Sequence, residues 1–206
     1  MSEADAQGWI AQRFDAAKVD RLAAFADRIV AETAHQNLIA ASTVPHIWER
    51  HILDSAQLVP LADAAGPGDW IDIGSGAGFP GIVAAILTGR RTVLVEPRAR
   101  RAQLLEAIAA DLGLGNVVVH QAKIERLPAD HPAAIISARA VARLDALFAI
   151  GLGHANRDTL WLLPKGRSAA DELAEARRVW RGTFHVEHSI TDPASAIVIA
   201  TGVHKP

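Results

Sequence analysis

The sequence predicts an α/β fold, in which a mostly parallel sheet follows an N-terminal helical extension and ends in a C-terminal antiparallel hairpin. After residue 68, short apolar runs alternate with helical stretches, which is typical of βαβ units. The last two strand-like runs, Thr183–Ser189 and Ala196–Val203, are joined by Thr191-Asp192-Pro193-Ala194, a composition that favours a turn. Together with five earlier runs they predict a sheet of seven strands.

Five apolar runs predict the parallel strands of this sheet. They are Trp70–Ile73, Thr92–Glu96, Asn116–His120, Ala134–Ala138 and Leu160–Leu163. Helices are predicted between them, over 80–88, 98–112, 140–151 and 168–181. This alternation favours a parallel sheet that is covered by helices on both faces.

The first third of the chain is predicted to be helical. Apolar residues recur at three- and four-residue steps over 15–40 and again over 46–64. Gly66-Pro67-Gly68 then interrupts the pattern. We therefore predict an N-terminal helical extension over residues 1–65 that packs on a core over residues 66–206, the two forming one compact unit.

Composition excludes several classes of chemistry. The 206 residues include no cysteine, which rules out disulfides, Cys-ligated zinc, iron–sulfur clusters and a cysteine nucleophile, and we expect no metal site. The N-terminus is mixed and acidic, and no apolar stretch is long enough to cross a membrane. We expect a cytoplasmic monomer with no membrane or DNA partner. A formal net charge of −2 requires any RNA to be held by local basic clusters.

The strongest local signal is a glycine-rich turn directly after the first predicted strand. Asp72-Ile73-Gly74-Ser75-Gly76-Ala77-Gly78-Phe79-Pro80-Gly81 combines a strand end with glycines that let a ligand approach backbone N–H groups closely. Gly76 to Gly81 also match the dinucleotide fingerprint, and Glu96 stands 20 residues after Gly76, where a ribose-binding acid is expected. The turn therefore predicts a nucleotide-like cofactor.

Asp72 discriminates between the two cofactor classes that fit this turn. A carboxylate would repel a pyrophosphate, whereas S-adenosylmethionine has no phosphate and carries an ammonium and a sulfonium. The C-terminal hairpin favours the same choice, because an extra antiparallel strand is typical of methyltransferase sheets. We therefore predict a class I methyltransferase (Rossmann-like) fold that binds S-adenosylmethionine. The predicted cofactor residues are Asp72, Gly74, Gly76, Gly78 and Glu96.

Two other functions stay open from the residues alone. One is an NAD(P)-dependent Rossmann oxidoreductase that uses the dinucleotide fingerprint. The other is a non-catalytic RNA-binding module on the same fold. Cofactor-binding measurements would separate the first from a methyltransferase, and a turnover assay would separate the second.

Four short motifs together resemble one known family. They are Arg50-His51-Ile52-Leu53-Asp54-Ser55, the turn over 72–81, Ile136-Ser137-Ala138-Arg139-Ala140 and Pro164-Lys165-Gly166-Arg167. In combination they resemble the glucose-inhibited division protein B family, also called RsmG, from about Asn37 to the C-terminus. The resemblance implies methyl transfer from S-adenosylmethionine to N7 of one guanine in 16S (small-subunit) ribosomal RNA. It also implies a cofactor pocket lined by Gly74, Phe79, Ile124, Glu125 and Arg139.

This reaction suits the residues present. Guanine N7 carries an in-plane lone pair and no proton, so the transfer needs orientation and electrostatics rather than a general base. We assign no catalytic residue, and Arg139, at the end of the fourth strand, is the candidate. The candidate RNA contacts are Lys165, Arg98, Arg101, Lys123, His51 and Asp54. Of these, Lys123 stands where the resemblance leads us to expect arginine, and His51 and Asp54 share one helix face.

Overall fold

The computed structural model describes all residues, 1–206, and contains one seven-stranded sheet in the order β3-β2-β1-β4-β5-β7-β6. The strands are β1 (Trp70–Ile73), β2 (Thr92–Val95), β3 (Val117–His120), β4 (Ile135–Ser137), β5 (Leu160–Lys165), β6 (Arg181–His188) and β7 (Ala196–His204). β1 to β5 are parallel, and β7 runs antiparallel to both β5 and β6. The predicted fold class, with its C-terminal hairpin, is confirmed.

The helices connect the strands and cover both faces of the sheet. They are α1 (Glu3–Ala11), α2 (Ala16–Thr33), α3 (Asp54–Ala56), α4 (Leu58–Leu61), α5 (Gly81–Thr88), α6 (Ala99–Asp111), α7 (Leu144–Gly151) and α8 (Ala169–Val179). The apolar side chains of α5 and α6 pack with the N-terminal helices on one face, and those of α7 and α8 pack on the other. The active edge of such a sheet is the one where the parallel strands end.

The N-terminal helices differ from their predicted bounds. α1 was not predicted, because only Ala6 and Ile10 of this helix are buried and its apolar pattern is short. α2 ends at Thr33 rather than at residue 40. Beyond it, the carbonyls of His35 and Asn37 accept hydrogen bonds from arginines of α6, so tertiary contacts replace the helical ones there.

The predicted helix over 46–64 is an irregular series of short turns. It comprises a 3₁₀ helix at Ala41–His46, a π-helical stretch at Trp48–Leu53, α3, α4 and a 3₁₀ turn at Ala62–Ala64. Pro60, which lacks a backbone N–H, lies within this series. The π-helical stretch carries His51, so this irregular backbone sets the position of a predicted site residue. Such local widening of a helix is frequent at functional sites.

The N-terminal helices share one hydrophobic cluster with the sheet and its helices. Leu22, Phe25 and Ile29 of α2 are fully buried in the cluster that includes Ile82 of α5. The rings of Phe25 and Phe79 lie 5.1 Å apart, so α2 also contacts the glycine-rich turn. The division at residue 65 stays a prediction. None of the helices combines the length and the apolar character needed to cross a membrane.

Candidate active site

The glycine-rich turn follows β1 at the edge where the parallel strands end. Gly74, Gly76 and Gly78 have φ angles of +68°, +57° and +94°, a region that other residues rarely adopt. A Cβ added at Gly74 would lie 2.6 Å from a methyl carbon of Val141. A Cβ at Gly76 would meet no atom closer than 3.7 Å. The backbone at Gly76 is therefore open to a ligand, whereas Gly74 is closely covered by Val141.

Asp72 supports this turn from beneath. Its side chain is fully buried, Oδ1 accepts a hydrogen bond from Ser137 Oγ at 2.7 Å, and Oδ2 accepts one from Gly81 N at 3.2 Å. Burial raises the pKa of Asp72 to about 6, against the opposing effect of the hydrogen bonds from Ser137, Ser75 and Gly81. The carboxylate thus joins β1, β4 and the start of α5, and its oxygens point at protein donors rather than into the cavity above.

Glu96 holds the other side of the turn. It follows β2, is 4% exposed, and accepts hydrogen bonds from Gly76 N through Oε2 and from Arg98 N through Oε1, both at 2.9 Å. The two predicted acidic residues therefore accept hydrogen bonds from the backbone of the turn, Glu96 at Gly76 and Asp72 at Gly81. Each carboxylate fixes a backbone N–H group that would otherwise be free to move.

A cavity of about 430 Å³ lies above the turn. Its lining includes four of the predicted cofactor residues, Gly74, Gly76, Phe79 and Arg139, together with the predicted RNA residues His51, Asp54 and Arg101. Leu38, Ile39 and Thr43, which precede the π-helical stretch, close one side of it. The N-terminal extension therefore supplies part of the wall of this cavity.

Arg139 stands at the wall of the cavity and is held from several sides. Its Nη1 donates to Asp54 Oδ2 at 2.9 Å and to Arg50 O at 3.3 Å. Its Nη2 lies 3.1 Å from His51 Nδ1, and its guanidinium carbon is 5.1 Å from the centre of the Phe79 ring. Arginine is always protonated and can only donate, so His51 Nδ1 must be the acceptor.

His51 is consequently neutral, with its proton on Nε2. Burial, together with the nearby charges of Arg139 and Arg50, lowers the pKa of His51 to about 3. His51 Nε2 lies 2.8 Å from Thr43 Oγ1, which in turn donates to Ala40 O at 2.8 Å. A chain of hydrogen bonds therefore runs from Arg139 to the segment that closes the cavity.

Asp54 connects Arg139 to the C-terminal hairpin. Its Oδ1 accepts hydrogen bonds from Gln57 Nε2 and Thr191 Oγ1, both at 3.0 Å. Gln57 also accepts from the backbone N–H of Ile190 at 2.9 Å. Three distant segments of the chain, at 50–57, 139 and 189–191, thus meet in one polar network. Sequence reasoning missed Thr43, Gln57 and Thr191, because no local pattern distinguishes a hydroxyl or amide that will face a distant segment.

A second cavity of about 520 Å³ lies on the other side of Arg139 and Asp54. Both residues line it as well, with Ala140 and Ser195 also shared between the two cavities. Its far wall includes Lys165 and Glu172. The Arg139–Asp54 pair is therefore the partition between two neighbouring cavities at the carboxyl edge of the sheet.

Comparison with known proteins identifies the family. The family model described as rRNA small subunit methyltransferase G matches residues 18–194. The chain belongs to this family. The small subunit methyltransferase G of Sphingopyxis alaskensis is 49% identical over 97% of this chain and 86% of its own length, and that of Zymomonas mobilis is 45% identical over 99% and 96%. The expected resemblance and the expected methyltransferase class are thereby confirmed.

Solved structures agree on the fold of this methyltransferase G family member. A mutant of MtNAS in complex with S-adenosylmethionine has a TM-score of 0.60 at 16% identity, over 85% of this chain and 72% of that one. A ribosomal protein L11 methylase from Lactobacillus delbrueckii has a TM-score of 0.53 at 18% identity, over 73% and 76%. The matching family and relatives are methyltransferases, which contradicts the alternative of an NAD(P)-dependent oxidoreductase.

The remaining predicted residues of this methyltransferase lie outside both cavity linings. Gly78 and Glu96 belong to the turn and its support, whereas Ile124 and Glu125 follow β3 in a short 3₁₀ turn. Ile124 is 2% exposed, and its carbonyl accepts a hydrogen bond from His154 at 3.0 Å. Their predicted cofactor contacts stay predictions.

The predicted RNA contacts of the methyltransferase fall into two groups. Arg98 and Lys123 are exposed. Arg101 lines the first cavity, but its Nη2 donates to Asn37 O at 3.1 Å, and Lys165 is paired with Glu172. Lys165 is thus neutralised by an ion pair and Arg101 is held by one hydrogen bond, whereas the side chains of Arg98 and Lys123 have no partner within the protein.

Proposed function

We propose that this chain is an S-adenosylmethionine-dependent methyltransferase that methylates N7 of a specific guanine in 16S ribosomal RNA. The observation that carries the proposal is the open glycine turn beneath a cavity that Arg139 borders. The relatives named ribosomal RNA small subunit methyltransferase G, at 45% and 49% identity, support the same substrate. We further propose that the chain acts as a cytoplasmic monomer on the small ribosomal subunit or its RNA.

The residues present fit S-adenosylmethionine. The first cavity has a volume in the range of small-molecule sites, and the open backbone at Gly76 allows a ligand to approach closely. Gly74, Gly76, Phe79 and Arg139 would hold the cofactor directly. The carboxylate of Glu96 stands beside Gly76, where its remaining lone pairs can accept ribose hydroxyls.

Four further predicted residues take part through the turn or its surroundings. Asp72 and Gly78 would act by fixing the shape of the turn, since neither lines the cavity. For Ile124 and Glu125, the family resemblance is the support for an adenine contact.

The chemistry needs no base from the protein. When bound, S-adenosylmethionine supplies a methyl group on a sulfonium, and guanine N7 already has a free lone pair. His51 fits this requirement, because it is neutral and both its ring nitrogens are engaged by Arg139 and Thr43. The protein's contribution is to hold the two reactants in line and to surround them with fixed charges and dipoles.

Arg139 is suited to a binding role rather than to proton transfer. Its guanidinium cannot lose a proton, and Asp54, His51 and the Arg50 carbonyl hold it in one place. A fixed cation at the wall of the first cavity can anchor the carboxylate of S-adenosylmethionine. Because Arg139 also borders the second cavity, it can contact the RNA on that side as well.

A labelling experiment tests the proposal. The purified chain is incubated with methyl-tritiated S-adenosylmethionine and either intact, immature or protein-depleted small subunits. We expect label in 16S RNA, and a mass-spectrometric map should place one methyl group on one guanine at N7. No label in any of these RNAs, with cofactor binding intact, would contradict the substrate assignment and favour a non-catalytic RNA-binding module.

A further inference from the structure

An enclosed ion pair lies at the wall of the second cavity. Lys165 ends β5 and Glu172 lies in the first turn of α8, with Nζ 3.0 Å from Oε2, and each side chain is only 9% exposed. Lysine and glutamate are rarely this buried unless they are paired. An ammonium that binds RNA phosphates must be accessible to them, and this one faces protein groups instead.

The other hydrogen bonds of the pair go to one short stretch of backbone. Lys165 Nζ donates to Ala142 O at 2.5 Å, and Glu172 Oε2 accepts from Leu144 N at 3.1 Å. Glu172 Oε1 accepts from Ser168 Oγ at 2.7 Å, which fixes the carboxylate itself. Burial would raise the pKa of Glu172, but the hydrogen bonds from Ser168 and Lys165 and the charge of Lys165 together lower it. Glu172 is therefore held as a carboxylate, and both side chains are directed at the backbone.

That stretch of backbone follows β4 and carries Arg139; we call residues 139–143 the Arg139 loop. Ala140 in this loop has φ +56° and is the one non-glycine residue of the chain with a positive φ. Such a conformation persists only where the surrounding structure enforces it. The next residue, Val141, covers Gly74 of the glycine-rich turn. The Arg139 loop thus touches both cavities and depends on anchors at its far end.

We propose that Lys165 and Glu172 are positioning residues that hold the Arg139 loop against the glycine-rich turn, and that the Lys165 ammonium does not bind an RNA phosphate. The pair fixes Ala142 and Leu144, on the C-terminal side of the strained Ala140, while Asp54 and His51 fix Arg139 on the other side. Both ends of the loop are then held. This inference rests on the proposed function, since the loop matters only if the first cavity holds the cofactor.

Three variants and a control test it: Lys165→Met, Glu172→Leu, the double variant, and Lys18→Met. Each single variant leaves one buried charge unpaired and is expected to lose stability. The double variant leaves no unpaired buried charge, and replacing a buried ion pair by apolar residues commonly preserves folding. Lys18 is a half-exposed lysine on α2, 3.6 Å from Asp15, so its variant removes the same charge without the same anchor. For all four we measure the melting temperature, kcat, KM for S-adenosylmethionine, and RNA affinity at several salt concentrations.

We expect the double variant to fold, with kcat at least about tenfold lower and KM for S-adenosylmethionine raised, because small displacements of a positioning loop cost large factors in rate. The salt dependence of its RNA affinity should keep the slope of the wild type and of Lys18→Met. A slope smaller by about one would show a lost phosphate contact and overturn the proposal, whatever happens to kcat. A folded double variant with wild-type kcat and KM would overturn it too. Failure of the proposed function is distinguishable, since the wild-type chain itself would then not methylate the RNA.

Discussion

Arg139 and Asp54 form an ion pair, with Nη1 2.9 Å from Oδ2, although they stand 85 positions apart in the sequence. The pair lies between the two cavities and joins the end of β4 to the irregular helical series at 41–64. Both side chains are 19% exposed, so the interaction is shielded from solvent on most sides. The proposed cofactor anchor is thus held by a residue of the N-terminal extension.

Asp54→Asn should weaken S-adenosylmethionine binding by about tenfold, because the ion pair that orients Arg139 becomes a weaker hydrogen bond to an uncharged acceptor. Calorimetric titration with the cofactor measures the effect. Asp69→Asn is the matched control, since Asp69 pairs with Arg91 just before β1 and lines neither cavity. Equal cofactor affinity in Asp54→Asn and the wild type would show that Asp54 does not position Arg139 for binding.

Gly74→Val should lower cofactor affinity by at least about a hundredfold while the chain still folds. The reason is local: φ at Gly74 is +68°, and a Cβ there would lie 2.6 Å from Val141, so the turn must change shape. Gly115→Val, at a position where an added Cβ meets no atom within 4 Å, serves as the control. Circular dichroism checks folding, and calorimetry measures affinity. If Gly74→Val bound the cofactor like the control, the pocket would lie elsewhere.

Asp72 should make the folded chain lose stability as pH rises from about 4 to about 6. Its folded pKa, about 6, is above the ordinary value of 3.8, so in this window the folded state binds more protons than the unfolded state. Above about pH 6, Asp72 is deprotonated in both the folded and the unfolded state, so it causes no further loss of stability. Asp72→Asn lacks this group. Urea unfolding of both proteins from pH 4 to pH 7 measures the effect. The free energy of unfolding of the wild type should fall relative to that of the variant as pH rises to 6. A constant difference between the two across that range would contradict the raised pKa.

RNA affinity should fall only gently with salt. Of the six residues that sequence reasoning offers as RNA contacts, only Arg98 and Lys123 present basic side chains free of the protein's own hydrogen bonds and ion pairs. With roughly two or three phosphate contacts, the logarithm of the affinity should fall with the logarithm of the salt concentration at a slope of about −2 to −3. Filter binding or fluorescence anisotropy with small-subunit RNA measures this slope. A value near −6 would require a basic surface that these residues do not provide.

Local patterns predicted the strands, the hairpin and the glycine-rich turn. β1 occurs at Trp70–Ile73 as predicted, and β6 and β7 differ from their predicted bounds by only one or two residues. These features depend on residues close together in the chain, such as the apolar run of a buried strand or glycines at positive φ. The glycine-rich turn could likewise be predicted from its own residues, without reference to distant segments of the chain.

Side-chain partners were decided by the tertiary structure. Asp72 and Glu96 were expected in the cofactor site, and their carboxylates accept hydrogen bonds from the turn's own backbone. Arg101 and Lys165 were expected at the RNA, and their charges are directed at Asn37 and at Glu172. The sequence by itself determined the fold class and the position of the cofactor turn, because periodicity and glycine conformation act over a few residues. Only the tertiary structure decided which charges face a ligand, because burial and hydrogen-bond partners depend on segments up to 137 positions apart.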